Sequence, residues 1–261
     1  MSARRVPRKS PSRWIALPDS EERFSTGIAD LDRLLGGGFA RGSMALFRVD
    51  ETIGPADREL MLTPTLLNFL FHSNGVMAVL PARESPHGFR NHLTKWVGRR
   101  RFDTRVRVID YVGEDTEAPY VVSLTGVRKL RDAGSKHDRA RSKELQKMVA
   151  AEKAVRGTRS KVFLEMVSFE IMDTIVGPEM AANMFLHGIK RSRIVGNLCL
   201  GIMRPGLGCT DAVRAMADAE FVLHRDDVGL TVRGIRPAFA SHLVVPDPQR
   251  GEPYVSLIPS P

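Results

Sequence analysis

Cysteine is nearly absent from this chain: Cys199 and Cys209 are its only two thiols in 261 residues. That scarcity excludes a disulfide-stapled secreted scaffold, and the pair lacks metal-ligand spacing, so both are expected to pack inside a cytoplasmic protein. No run of about 18 apolar residues occurs, so no membrane-spanning helix is expected. The N-terminus is basic but has no apolar stretch behind it, so a secretory signal is not expected either. The seven histidines are scattered without an H-x-x-x-H or C-x-x-C pairing, and no zinc or other metal site is expected. Neither G-x-S-x-G nor a Ser/His/Asp arrangement recommends a hydrolase. What remains, 43% hydrophobic and 26% charged residues, is the composition of a globular protein with length for one large α/β domain with extensions, or two small ones.

The net charge of +9 is unevenly placed. Residues 1–18 hold Arg4, Arg5, Arg8, Lys9 and Arg13 and no acid. Residues 125–161 hold twelve Lys/Arg against four acids, which leaves the rest of the chain acidic. The cations of that second segment offered to a polyanion are Arg128, Lys129, Arg131, Lys136, Arg139, Arg141, Lys143 and Lys147. Such clusters favour nucleic acid, DNA or RNA, as a partner. The competing reading is a solvated tail and a solvated amphipathic helix over 140–155.

Taken in order, residues 1–20 read as a flexible basic tail whose anchors are Trp14, Ile15 and Leu17. These pin it to the domain or to a neighbouring subunit. Apolar residues at 28, 31, 34 and 35 predict a helix that Gly36-Gly37-Gly38 ends. Met44 to Phe47, Val76 to Leu80, Val106 to Asp110, Val162 to Glu165 and Asn197 to Met203 read as strands of a mostly parallel sheet. Helices are predicted over 57–73, 89–97, 180–190 and 212–219. Pro64 inside the first of these is expected to kink it or to mark its true first turn. Residues 121–130 stay ambiguous. Residues 220–224 and 229–236 form a strand pair, and 241–261 form a small β-rich C-terminal extension.

One stretch carries a specific signature: Ser25-Thr26-Gly27, then Leu31-Asp32 and Leu34-Leu35-Gly36-Gly37-Gly38, then Gly42-Ser43 before a buried strand. It resembles the entry to a RecA-type ATPase domain of the KaiC/RadA kind. The resemblance covers roughly residues 21–240 and implies a RecA-like three-layer sandwich. In that family a phosphate-binding loop follows the strand, because backbone N–H groups, a lysine and a hydroxyl must meet a triphosphate and its Mg²⁺. The corresponding window here is Val49-Asp50-Glu51-Thr52-Ile53-Gly54-Pro55-Ala56. Pro55 stands for the lysine and Ala56 for the hydroxyl, while Asp50 and Glu51 put negative charge where phosphates would sit. The family pattern also has two glutamates after the second strand, and this chain has Arg83-Glu84-Ser85-Pro86. A guanidinium cannot take a proton from water, so Arg83 is expected instead to pair with Asp50 or Glu51. Glu165 stands where the resemblance implies a Walker B acid.

These readings converge on a non-catalytic, pseudo-ATPase member of the RecA/KaiC-like group, without cofactor. It would bind DNA or RNA through its basic segments and assemble with itself or a paralogue. The alternatives are a protein–protein adaptor in a signalling complex, and an atypical nucleotide-binding ATPase using Glu84 and Glu165.

Overall fold

A computed structural model of the chain describes residues 14–72, 75–81, 84–110, 118–123 and 163–260. The strand sequence patterns assemble into one ten-stranded sheet. In chain order, the motif loop carries a two-residue strand β1 (Arg23–Phe24), helix α1 (Ala29–Leu34) and β2 (Phe39–Ala40). Then come β3 (Met44–Val49), α2 (Pro55–His72), β4 (Val76–Leu80), α3 (Pro86–Val97), α4 (Arg99–Arg105), β5 (Val106–Asp110) and β6 (Val121–Ser123). These are followed by β7 (Phe163–Ser168), α5 (Phe169–Val176), α6 (Pro178–Val195), β8 (Leu198–Met203) and α7 (Thr210–Met216). The last elements are β9 (Ala219–Arg225), β10 (Leu230–Arg236), β11 (Ala238–Pro246) and β12 (Val255–Pro259).

The strand order is β12-β11-β10-β9-β3-β8-β7-β4-β5-β6. From β9 to β6 neighbours run parallel, and β10, β11 and β12 add an antiparallel edge. Residues 241–259 therefore extend the same sheet. Strand alternation sorts the apolar residues to two faces. Ala45, Phe47, Val49, Leu164, Met166, Leu198, Leu200 and Ile202 pack toward α1, α2 and α3. Met44, Leu46, Val167, Cys199 and Met203 pack toward α5, α6 and α7. Helices on both faces of a parallel sheet make the three-layer α/β sandwich.

The Ser-Thr-Gly and Leu-Asp motifs form a hydrogen-bonded knot. The Asp32 carboxylate accepts from the Thr26 N–H and hydroxyl, both at 2.7 Å, and from the Ser25 hydroxyl. Gly27 has φ 74, and a Cβ there would lie 2.5 Å from the Pro64 carbonyl oxygen on α2. Thr65 donates to the Thr26 carbonyl at 2.7 Å. The motif thus clamps the α1 entry onto the middle of α2. Residues 14–20 are also docked: Trp14 is buried and stacks on Tyr254 at 4.6 Å, and Leu17 exchanges two hydrogen bonds with Asn68 of α2. These anchors attach to this chain's own domain.

One expectation about the elements is corrected. Pro64 does not mark a first turn, because α2 runs from Pro55 to His72 with both neighbours of Pro64 buried. Burial of an apolar face outweighs the one hydrogen bond that a proline removes. The Arg99–Arg105 helix and the Phe169–Val176 helix are additional to the helices expected, each being too short for periodicity to show. The predicted helix over 140–155 lies outside the described residues.

Candidate functional site

In a parallel α/β sheet the ligand crevice lies beyond the carboxyl ends of the strands, and a phosphate sits at the N-terminus of the helix that follows the first of them. Here that place is the junction of β3 and α2. Because α2 begins at Pro55, its N-terminus points at the loop; it is not withdrawn to Pro64, as it would be if that proline marked the first turn. The loop is a turn: the Ile53 N–H donates to the Asp50 carbonyl, and Asp50 Oδ1 accepts from the Thr52 N–H at 2.9 Å. Gly54 then caps the helix, with its carbonyl accepting from the Arg58 N–H.

The anion position at this helix end is filled from within. Asp57 lies in the first turn of α2 and is buried. Its Oδ2 accepts from the Gly54 N–H at 3.0 Å, so an acid at the third helical position reaches back to the cap residue. Pro55 has no N–H to offer. From outside, Arg225 at the end of β9 grips Asp57 Oδ1 with its Nε at 2.9 Å and with Nη2. The neighbouring His224 holds Asp50, and the Arg225 N–H donates to the Thr52 hydroxyl at 3.3 Å. Burial alone would raise the Asp50 pKa. The Thr52 hydroxyl, His224 and the Thr52 N–H together overcome that and hold it below the usual carboxylate value of 3.8. The same bond to Asp50 raises His224 above 6.5.

Beside this junction, between α2 and α3, a cavity of about 200 Å³ is lined by Pro55, Arg58, Glu59, Thr63, Glu84 and His92 among largely apolar neighbours. Ser85 caps α3 by accepting from the Gly88 N–H at 3.0 Å, with Pro86 opening the helix, and this fixes Glu84 at the cavity wall. Burial, then the nearby Glu59, pushes the Glu84 pKa up to about 7 against a lesser pull from Arg58. Burial and Lys95 push His92 down to about 4. His92 touches Glu59 at 3.2 Å. With its pKa so low the contact is a hydrogen bond from a neutral ring, not an ion pair: Nδ1–H donates to Glu59, and Nε2 accepts from the Thr63 hydroxyl at 2.8 Å. Glu84 can gain or lose a proton near neutral pH. Two carboxyls facing a cavity with one guanidinium, however, oppose entry of a polyphosphate.

Glu165 is placed elsewhere. It sits in mid-strand, level with Cys199, which is level with Met44 at the start of β3. Val49 lies five residues farther along β3, about 16 Å away along the sheet at ~3.3 Å per residue. Glu165 lines a separate pocket with Met172, Phe185 and Ile189 of α5 and α6. The sheet separates it from Glu84, so the two do not form one site, and Glu165 is not at the strand end that a metal-ordering acid requires. Val49, Asp50, Glu51, Gly54, Pro55 and Ala56 are contiguous at the junction. Arg83 lies outside the described residues; Asp50, which it was expected to meet, is held by His224. All thirteen cations assigned to nucleic acid, Arg4 to Arg13 and Arg128 to Lys147, also lie outside them. Sequence reasoning missed Asp57, His224 and Arg225 as site residues. An acid three residues after a Gly-Pro helix start was the available signal for Asp57.

The profile of the family described as GvpD basic region 2 matches residues 13–228. This chain belongs to that family. Over 106 residues it is 36% identical to Protein GvpD1 of Halobacterium salinarum, a stretch amounting to 40% of this chain and 20% of that protein. Over 101 residues it is 35% identical to Protein GvpD2 of the same organism, again 20% of the relative's length. The chain thus aligns with about a fifth of each of these curated relatives. Among solved structures it is similar to a KaiC-like protein from the hyperthermophilic archaeon Pyrococcus horikoshii OT3. The TM-score is 0.59 at 15% identity, covering 93% of this chain and 100% of that one. The fold is therefore that of this KaiC-like protein, in line with the motif resemblance.

Proposed function

We propose that this protein is a non-catalytic, regulatory member of the KaiC-like group: a pseudo-ATPase that binds DNA or RNA and assembles with itself or a paralogue. The observation that carries the reading is the Asp57 carboxylate on the Gly54 N–H, clamped by Arg225. A helix end whose cap N–H and positive dipole already meet a carboxylate repels a phosphate and has one donor fewer to offer it. Pro55 and Ala56 agree with this, since neither can contact a phosphate or Mg²⁺ in the way a lysine and a hydroxyl do. The basic segments 1–18 and 125–161 supply the nucleic-acid half of the proposal, and the description of the family by a basic region accords with it.

Two measurements test the reading. Thermal melts with and without Mg-ATP should coincide. A ligand that binds only the native state at a hundred times its Kd adds about 2.7 kcal/mol, so a clear rise in Tm would refute the pseudo-ATPase half. Gel shifts at low and raised salt should show binding that weakens steeply with salt. No shift at low salt would refute the other half. An adaptor that binds protein alone is favoured by a single feature, the exposure of Leu186, Ile194 and Val195 on α6. Co-purification of a protein partner free of nucleic acid would support it.

A further inference from the structure

At the C-terminal end of α3, its last turn and α4 make a basin outside the segments that the charge pattern marks. Gly98, at φ 74, turns the chain between the two helices. The resulting hollow of about 620 Å³ is lined by Arg99, Arg100, Arg101 and Arg105 together with the rings of Phe71 and Trp96. Among the described residues no carboxylate lines it. The one acid on α4, Asp103, is taken by Arg90 in a two-pronged pair, Nε to Oδ1 at 2.7 Å and Nη2 to Oδ2 at 2.8 Å. Arg90 holds the Asp103 pKa below its usual value, so the acid stays committed to that pair.

The aromatic rings are fixed platforms. The Arg101 guanidinium lies 4.3 Å from the Phe71 ring centre, and Lys95 reaches to 5.8 Å from that of Trp96. His92 packs edge-on against Trp96 at 5.3 Å. Four guanidiniums in one hollow repel one another, and Arg101 and Arg105 stand one helical turn apart, where like charges destabilise a helix. A bound polyanion reverses the sign of that effect. Charge alone would suit an acidic peptide equally well. The two rings among the cations are what a nucleic acid uses in addition, because any base can stack on them while the phosphates meet the arginines.

We propose that this basin is a contact site for single-stranded nucleic acid, with phosphates on Arg99 and Arg100 and a base stacked at Trp96. This deepens the nucleic-acid reading above and rests on it, while assigning the contact to a surface distinct from the tail and the 125–161 segment. The chain has two tryptophans, and the other, Trp14, is buried against Tyr254. The full chain carrying Trp14→Phe therefore makes Trp96 the sole indole reporter.

Titration of that protein at low salt with oligo(dT) or oligo(rU) of about 20 nucleotides should quench Trp96 fluorescence to saturation. The dT and rU arms tell DNA from RNA. Adding Arg99→Ala and Arg100→Ala, both exposed, should weaken binding roughly tenfold and lower the salt slope by about 1.4, at ~0.7 for each phosphate no longer neutralised. An unchanged melting curve certifies the fold of the variant. Binding by gel shift with an unmoved Trp96 signal and an unaffected double variant would overturn the basin and leave the nucleic-acid reading standing. Failure of both oligonucleotides to bind at low salt would overturn the basin and the nucleic-acid reading together. A quench produced equally by polyglutamate would make the basin a dock for acidic protein and overturn the proposal.

Discussion

Removing the Asp57 carboxylate tests the central geometry directly. In Asp57→Ala the Gly54 N–H loses its acceptor and the first turn of α2 loses its acid. The capping bond is worth about 1 kcal/mol, and a carboxylate at a helix N-terminus about another 1 kcal/mol when partly buried. The Arg225 pair is open to solvent on its outer side and adds no dependable stability. A loss of about 2 kcal/mol follows, which in a chain of this size lowers Tm by roughly 4–8 °C. The second arm is more discriminating. With the carboxylate gone, the helix end and Arg225 form an unfilled anion seat. Inorganic phosphate at about ten times its Kd should then restore roughly 1.4 kcal/mol to the variant. Differential scanning of both proteins across a phosphate series reads this, with the general effect of phosphate on any folded protein cancelling in the comparison. A variant that melts within a degree or so of the parent, or one that gains no more from phosphate than the parent does, would refute the idea that Asp57 occupies the phosphate place.

Three further outcomes follow from the same geometry. Glu84 carries a pKa raised from 4.5 to about 7, so the native state binds the extra proton and stability falls as pH rises through that interval. The rise corresponds to about 3 kcal/mol, cut to about 1–2 by partial exposure. Glu84→Gln should thus raise Tm at pH 8 and leave it unchanged near pH 4, and a pH-independent effect would contradict the assignment. The His224–Asp50 pair contributes where both partners are charged. Its share from Asp50 is present above 3.8 and lost as pH falls through the lowered native pKa. Its share from His224 is present below 6.5 and lost as pH rises through the raised one. The melting difference between His224→Ala and the parent should accordingly peak between about pH 4 and 6.5 and fade as pH rises through the raised His224 pKa; a flat difference would dissociate the pair. Gly27→Ala drives a Cβ to 2.5 Å from the Pro64 carbonyl at φ 74 and should destabilise by about 2–4 kcal/mol in urea melts. Gly36→Ala, at φ 68 with nothing within 4 Å, should lose only about 1–2 kcal/mol, and equal losses would undo the close-approach argument.

Much of the fold was legible in the residues. Apolar runs such as Val76 to Leu80 and Leu198 to Met203 mark buried parallel strands whatever their neighbours, and the Ser-Thr-Gly and Leu-Asp motifs identified the group because their side chains bond to one another within a few residues. Local composition also carries part of the proposal for the loop, since Pro55 and Ala56 cannot do a lysine's or a hydroxyl's work in any fold. What fills the place was decided only in three dimensions. His224 and Arg225 reach Asp50 and Asp57 across separations of 174 and 168 residues, because β9 pairs in parallel with β3. Register in the sheet also carried Glu165 to the wrong level and the opposite face, and packing against Gly27 kept Pro64 inside an unbroken helix. A sequence states which groups exist; strand pairing and burial, which act between residues far apart in the chain, decide which of them meet.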